Sequence, residues 1–257
     1  MEHTTVIVKK KVKMSNPVLI EGLPGIGLVG KIAAEYLIKE KKAERIAILY
    51  SPHFPHQVVM QKNGVVRMLK MKFYHAKAGG RDMLILVGDV QAATSEAQYE
   101  VTGKILDYFQ SQKGRQIITL GGYGTGKAPP QPKVFGAATH KKIIPRYSKG
   151  GVAFGQTRGG IIGAAGLLLG LGRVRGMHGI CLMGETHGGY VDPKSAQAVL
   201  LALGKILGIK IDVAALAQKA DAGEKFIRKM EAEAKKQGEL AIEGGAQPAP
   251  RDLSYIR

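Results

Sequence analysis

Pro17-Val18-Leu19-Ile20-Glu21-Gly22-Leu23-Pro24-Gly25-Ile26-Gly27-Leu28-Val29-Gly30-Lys31 is the stretch whose reading decides the fold. An apolar run of strand length enters a glycine turn, and the turn opens a helix expected to reach about Glu40. Gly25, Gly27 and Gly30 complete the spacing G-x-G-x-x-G between strand and helix. That spacing lets a pyrophosphate approach a helix N-terminus, and it equally lets a helix pack close to a sheet. Context separates the two uses. The next strand, Arg45-Ile46-Ala47-Ile48-Leu49-Tyr50, runs into Ser51-Pro52-His53 and lacks the acid that would hold a ribose. The turn is therefore read as structural.

Outward from this unit, strands and helices alternate. Residues 83–88, 116–120 and 176–184 are apolar runs without alternation, as in strands covered on both faces. Residues 134–139 add a further strand. Ser95 is expected to cap a helix to about Gln112, with Val101, Ile105, Leu106 and Phe109 on one stripe. Asp192 and Pro193 start another that runs through Leu207 and stops at Gly208. Residues 159–170 are rich in small side chains and read as a buried helix, packed on the sheet or on another subunit. Asn63-Gly64 between Val58-Val59-Met60 and Val65-Val66-Arg67-Met68 signals a hairpin, an antiparallel excursion of the sheet. Thr4-Thr5-Val6-Ile7-Val8 leads into Lys9-Lys10-Lys11, the pattern of an edge strand guarded by lysines. Together these elements predict an α/β fold of three layers around a mostly parallel sheet. The expected division is a core domain at 1–210, a helical segment at 211–243 capped by Asp212, and a flexible tail at 244–257.

A chain of 257 residues can bury one sizeable core. No run of eighteen apolar residues is present, so no membrane span is expected. The single cysteine excludes an intrachain disulfide and points to a reducing, cytoplasmic setting. The net charge of +18 calls for an acidic partner, with RNA or the ribosome as one class. The stretch between Asp107 and Glu185 contains no carboxylate at all, so its cations lack acidic neighbours in sequence.

The motifs that suggest chemistry are incomplete. Gly121-Gly122-Tyr123-Gly124-Thr125-Gly126-Lys127 fits the phosphate-loop spacing, yet Ala128 stands where a hydroxyl would reach magnesium and Pro129-Pro130 blocks the helix. A glycine-rich surface turn is expected there instead. Cys181 lies inside an apolar strand and reads as a core thiol. Glu185-Thr186-His187 places an acid near a histidine, but no nucleophile motif accompanies them. His53, His56 and His75 follow no metal-ligand spacing and read as surface or turn residues. Asp89 ends the 83–88 strand, where ligands of open α/β sheets tend to bind. No catalytic, cofactor or metal site is assigned.

Ile20-Glu21-Gly22-Leu23-Pro24-Gly25-Ile26-Gly27-Leu28-Val29-Gly30, the Leu120-Gly121-Gly122-Tyr123 strand end, the small-residue helix and Gly184-Glu185-Thr186 resemble the archaeal branch of the proteasome assembly chaperone family. The resemblance covers roughly residues 4–207. It implies a phosphorylase-like α/β fold, no catalytic residues and homo-oligomers. It also implies binding of the proteasome core particle, which some archaeal relatives activate without ATP. Leu253, Tyr255, Ile256 and Arg257 would then be the contact residues, at the end of a glycine- and proline-rich tether. Docking tails of this kind end in a hydrophobic residue, Tyr and any residue. Here Tyr255 is third from last and follows Ser254.

Overall fold

The apolar run that opens the glycine stretch is a central strand, buried at all five positions. The structure is a computed structural model that describes residues 1–148, 150–156, 159–214 and 216. Its strands are β1 (Thr5–Val8), β2 (Val18–Gly22), β3 (Glu44–Tyr50), β4 (Val58–Met60), β5 (Val66–Met68), β6 (Met71–Ala78), β7 (Arg81–Gly88), β8 (Gln116–Gly124), β9 (Val134–Ala138), β10 (Val152–Phe154) and β11 (His178–Thr186). Its α-helices are α1 (Val29–Glu40), α2 (Ser95–Ser111), α3 (Ile144–Ser148), α4 (Ala164–Val174) and α5 (Pro193–Leu207).

Nine strands form one sheet in the order β1-β3-β6-β7-β2-β8-β11-β9-β10. The parallel pairs are β7–β2, β2–β8, β8–β11 and β9–β10. The antiparallel pairs are β1–β3, β3–β6, β6–β7 and β11–β9. The sheet is thus mixed, which corrects the mostly parallel expectation. Parallel neighbours need a long crossover, whereas antiparallel ones need only a turn. Gly79 and Gly80, both at positive φ, turn β6 straight back as β7. The segment between β8 and β9 holds no helix, so β9 returns along β11 in the opposite sense. The Asn63-Gly64 hairpin forms, but as a separate two-stranded sheet of β4 and β5, not as part of the main one.

Alternation along β2 builds two cores. Val18 and Ile20 face a layer holding α1 and α5 residues such as Ala33, Leu37, Val199 and Leu203. Leu19 faces the other way, with Val101, Ile105 and Phe109 of α2 and Leu168 of α4. Helices on both faces give the three layers. β1 is an edge strand, as its lysines imply, and Lys10 pairs with Glu44 at 2.7 Å.

Two helix starts differ from expectation. Thr94, not Ser95, caps α2, and its hydroxyl accepts the Ala97 N–H at 3.3 Å. α4 begins at Ala164, later than the small-residue stretch suggests, because Gly163 adopts φ 82°, ψ −161° and breaks the run. The Gln91 side-chain carbonyl accepts the Ala164 N–H at 2.9 Å and starts the helix there. Nor is the stretch wholly buried, for Ile162 just ahead of it is 92% exposed. α5 is built as its sequence requires: Asp192 accepts the Ser195 N–H at 2.9 Å, and Gly208 ends it in the left-handed region. Asp212 accepts the Ala214 N–H at 2.9 Å. The rest of the 211–243 segment and the 244–257 tail lie outside the described residues. No helix among the described residues is long and apolar enough to cross a membrane.

Candidate functional site

β7, β2, β8 and β11 run in one direction and end at one edge of the sheet, in Gly88, Gly22, Gly124 and Thr186. Open α/β sheets bind ligands outside this edge. Here the chain itself closes it. A Cβ at Gly30 would run into the Leu120 carbonyl, one at Gly22 into the Gly30 carbonyl, and one at Gly122 into the Ile26 carbonyl, all closer than 3.0 Å. Glycine therefore serves backbone-to-backbone contact between α1 and the sheet. Gly27 also needs its freedom, at φ 60°, and its carbonyl accepts the Asp192 N–H at 2.9 Å. β8 continues through Gly124, so Gly121 and Gly122 sit in a strand and not in the surface turn expected there.

Several side chains at this edge are tied to protein. Asp89 takes two hydrogen bonds from Arg67, at 2.6 and 3.1 Å, and one from the Lys70 N–H. Burial disfavours the Asp89 carboxylate, but those bonds and the Arg67 charge outweigh it and hold its pKa below the usual value. Asp89 thus anchors the hairpin. Gln91 donates to the Pro24 carbonyl at 2.6 Å and joins the glycine turn to α4. His187 stacks on Tyr190 with ring centres 4.9 Å apart and is exposed.

Glu21 is the unusual group. It is 1% exposed, one carboxyl oxygen accepts the Leu23 N–H at 2.9 Å, and the other has no hydrogen-bond partner. Burial pushes its pKa up to about 7, against the opposing pull of the Leu23 N–H. Glu21, Thr119 and Cys181 align across three adjacent strands. Burial pushes the Cys181 thiol up to about 12, which keeps it a core residue and not a nucleophile.

The opposite edge is cationic. Lys113 and Arg115 precede β8, Arg175 precedes β11, and His140, Lys142 and Arg146 follow β9. Arg175 pairs with Asp107 at 2.7 Å. Lys113, Arg115, Lys141, Lys142 and Arg146 make no ion pair among the described residues. A cleft of about 390 Å³ opens there, lined by Asn16, Gln110, Lys113, Arg115 and Arg175. His178 has its pKa lowered, first by burial and then by Arg146, His140 and Lys142.

Of the three histidines read as surface or turn residues, His75 is instead a half-buried strand residue, 2.8 Å from Asp82. Among the described residues no group of three or more His, Cys, Asp or Glu could hold a metal. Leu253, Tyr255, Ile256 and Arg257 lie outside the described residues. Sequence reasoning missed Glu21, Gln91 and the Arg67–Asp89 pair, since a lone acid in an apolar run and a glutamine in a loop carry no local signal.

A three-layer α/β domain with a mixed sheet and a glycine-packed edge defines the class. The PAC2 family matches residues 19–231, and the chain belongs to that family. The chain is similar to the crystal structure of Pyrococcus furiosus PbaB, an archaeal proteasome activator, at 46% identity and a TM-score of 0.86, covering 90% of this chain and 100% of that one. It is also similar to Pyrococcus furiosus PbaA, an archaeal homolog of proteasome-assembly chaperone, at 27% identity and a TM-score of 0.73, covering 91% and 99%. The uncharacterized protein MJ1210 of Methanocaldococcus jannaschii is 37% identical over 255 residues, 97% of each chain. The resemblance read from the glycine stretch therefore holds.

Proposed function

We propose that this protein is a non-enzymatic cytoplasmic partner of the proteasome core particle, acting as an activator or assembly chaperone without ATP. The body at 1–210 serves as a homo-oligomeric platform, and the tail at 244–257 carries the docking residues Leu253, Tyr255, Ile256 and Arg257. The observation that carries this reading is the similarity to the PbaB activator along that structure's whole length. The closed glycine edge supports it, because α1 and β8 occupy each other's approach at Gly30 and Gly122. Several tails on one oligomer would engage a ring by avidity, so each could be weak.

The test is binding to an archaeal core particle, with hydrolysis of a fluorogenic peptide in the absence of nucleotide. The full chain should bind and stimulate. Deletion of residues 253–257 should abolish both while leaving the fold intact, and Tyr255→Ala should cause most of that loss. Equal binding by the truncated chain would remove the tail from the mechanism.

One observation favours a second reading. The cations at the N-terminal edge of the parallel strands find no carboxylate among the described residues, as an RNA- or ribosome-associated protein would require. Retention on RNA that falls steeply with salt, and loss of co-purifying partners after nuclease, would support it.

A further inference from the structure

The β4–β5 hairpin has two unlike faces. Val59 and Arg67 pair across the strands and are half-buried. Val59 packs on the core beneath α2, and Arg67 grips Asp89. Alternation then sends the cross-strand pairs Val58–Met68 and Met60–Val66 outward. These four side chains are 52%, 53%, 77% and 60% exposed. No charged side chain stands among them, since Lys62 sits at the turn. Single subunits rarely expose a contiguous apolar patch beyond a few hundred Å². The Arg67–Asp89 pair also fixes the hairpin on the domain, so little ordering remains to be done on binding.

The charge distribution says which occupant fits. Every copy carries +18, so two copies repel unless they meet on an uncharged face and keep their cations apart. The hairpin joins β3 to β6 at the edge where β7 ends, because Met71 pairs with Gly88. The unpaired cations stand at the opposite edge. A partner of opposite sign would call for charge on the patch, and there is none.

We propose that the outer face of this hairpin is a self-association surface that receives the same face of a second copy of the chain. The two cationic edges then point away from each other. A two-fold arrangement lays the Val58–Met68 pair of one copy across the Met60–Val66 pair of the other. This rests on the homo-oligomeric part of the proposed function, but not on the proteasome as partner.

The experiment uses the full chain and measures mass by light scattering and sedimentation from 1 to 100 µM. Wild type should be oligomeric, and the mass should persist or rise between 0.1 and 1 M salt. Met60→Lys combined with Val66→Lys should lower the mass, with at least a tenfold rise in the dissociation constant. Its melting temperature at a concentration where both proteins are single subunits should not change, because these side chains touch solvent there. Oxidation provides an independent reading. Met60→Cys should cross-link two copies, and Lys142→Cys at the opposite edge should not. A single-subunit wild type at 100 µM, an unchanged mass in the double variant, or cross-linking only through Lys142→Cys would each overturn the proposal. Core-particle binding is scored separately on the double variant: tail-dependent binding at reduced avidity leaves the proteasome reading standing whatever the masses show.

Discussion

At the C-terminal edge of the parallel strands, Gly22, Gly30 and Gly122 let backbone meet backbone with no room for a side chain. At the N-terminal edge, Arg115, Lys142 and Arg146 stand without an ion pair among the described residues. The direction of the helices accounts for much of this. α1 and α5 leave the C-terminal ends of β2 and β11, and α2 follows β7, so their own C-termini lie at the N-terminal edge. Helix carbonyl ends favour nearby cations, which lowers the cost of gathering Lys and Arg there. Helix N-termini favour anions, and at the other edge Glu96 and Asp192 supply them from within the chain. One edge is thus satisfied internally, and the other is left with charge to share.

The contrast can be broken most severely at Gly30. Helix propensity alone would make Gly30→Ala stabilising by about 1 kcal/mol. Because the added Cβ would strike the Leu120 carbonyl, the expected result is destabilisation of about 3 kcal/mol or more, seen as a large fall in melting temperature. Gly25→Ala, with nothing within 4 Å of its Cβ, should change stability by less than about 0.5 kcal/mol. Equal effects at the two sites would refute the close-packing account.

Glu21 sharpens the same edge through pH. Its folded pKa, raised from 4.5 to about 7, lies above the unfolded value. Below 4.5 both states are protonated and burial costs nothing. Between 4.5 and 7 the unfolded chain ionises first, so stability falls as pH rises, by about 3 kcal/mol once both values are passed. Denaturant titrations of wild type and Glu21→Gln should diverge in the variant's favour between pH 4 and pH 8, whatever their offset at pH 4. Parallel curves would mean that Glu21 is not held protonated.

A smaller effect belongs to the cationic edge. Lys142→Gln and Arg146→Gln should each raise the pKa of His178, read by its ring resonances in an NMR titration. In wild type that pKa is lowered, so the folded state resists protonation and stability falls as pH drops through 6.5. An unmoved His178 would show that burial alone lowers it. The smallest effect is expected at Cys181, which should not react with a thiol reagent until the protein unfolds. Rapid labelling of the native protein would contradict its placement.

Local chemistry written in adjacent residues was legible without a structure. The β2–turn–α1 unit, the Asn63-Gly64 hairpin, the Asp192-Pro193 start and the Gly208 stop all depend on contacts within a few residues. The family resemblance rested on such a unit too, since close backbone packing demands glycine at fixed offsets. The amino-acid sequence by itself thus determined which segments are strands and helices, which faces are apolar, and that the glycine stretch is an interior turn. Only the tertiary structure decided the mixed strand order, because whether β9 lies parallel or antiparallel to β11 depends on how a helix-free loop crosses the sheet end. It alone brought Lys113, Arg146 and Arg175 to one edge from segments far apart in the chain. It alone put Glu21 beyond the reach of water, since an acid in an apolar run is solvated or buried according to what the sheet's neighbours place over it. Short-range preferences act through bonds and neighbours along the chain; burial and electrostatic company are properties of the folded assembly of segments, and no single stretch encodes them.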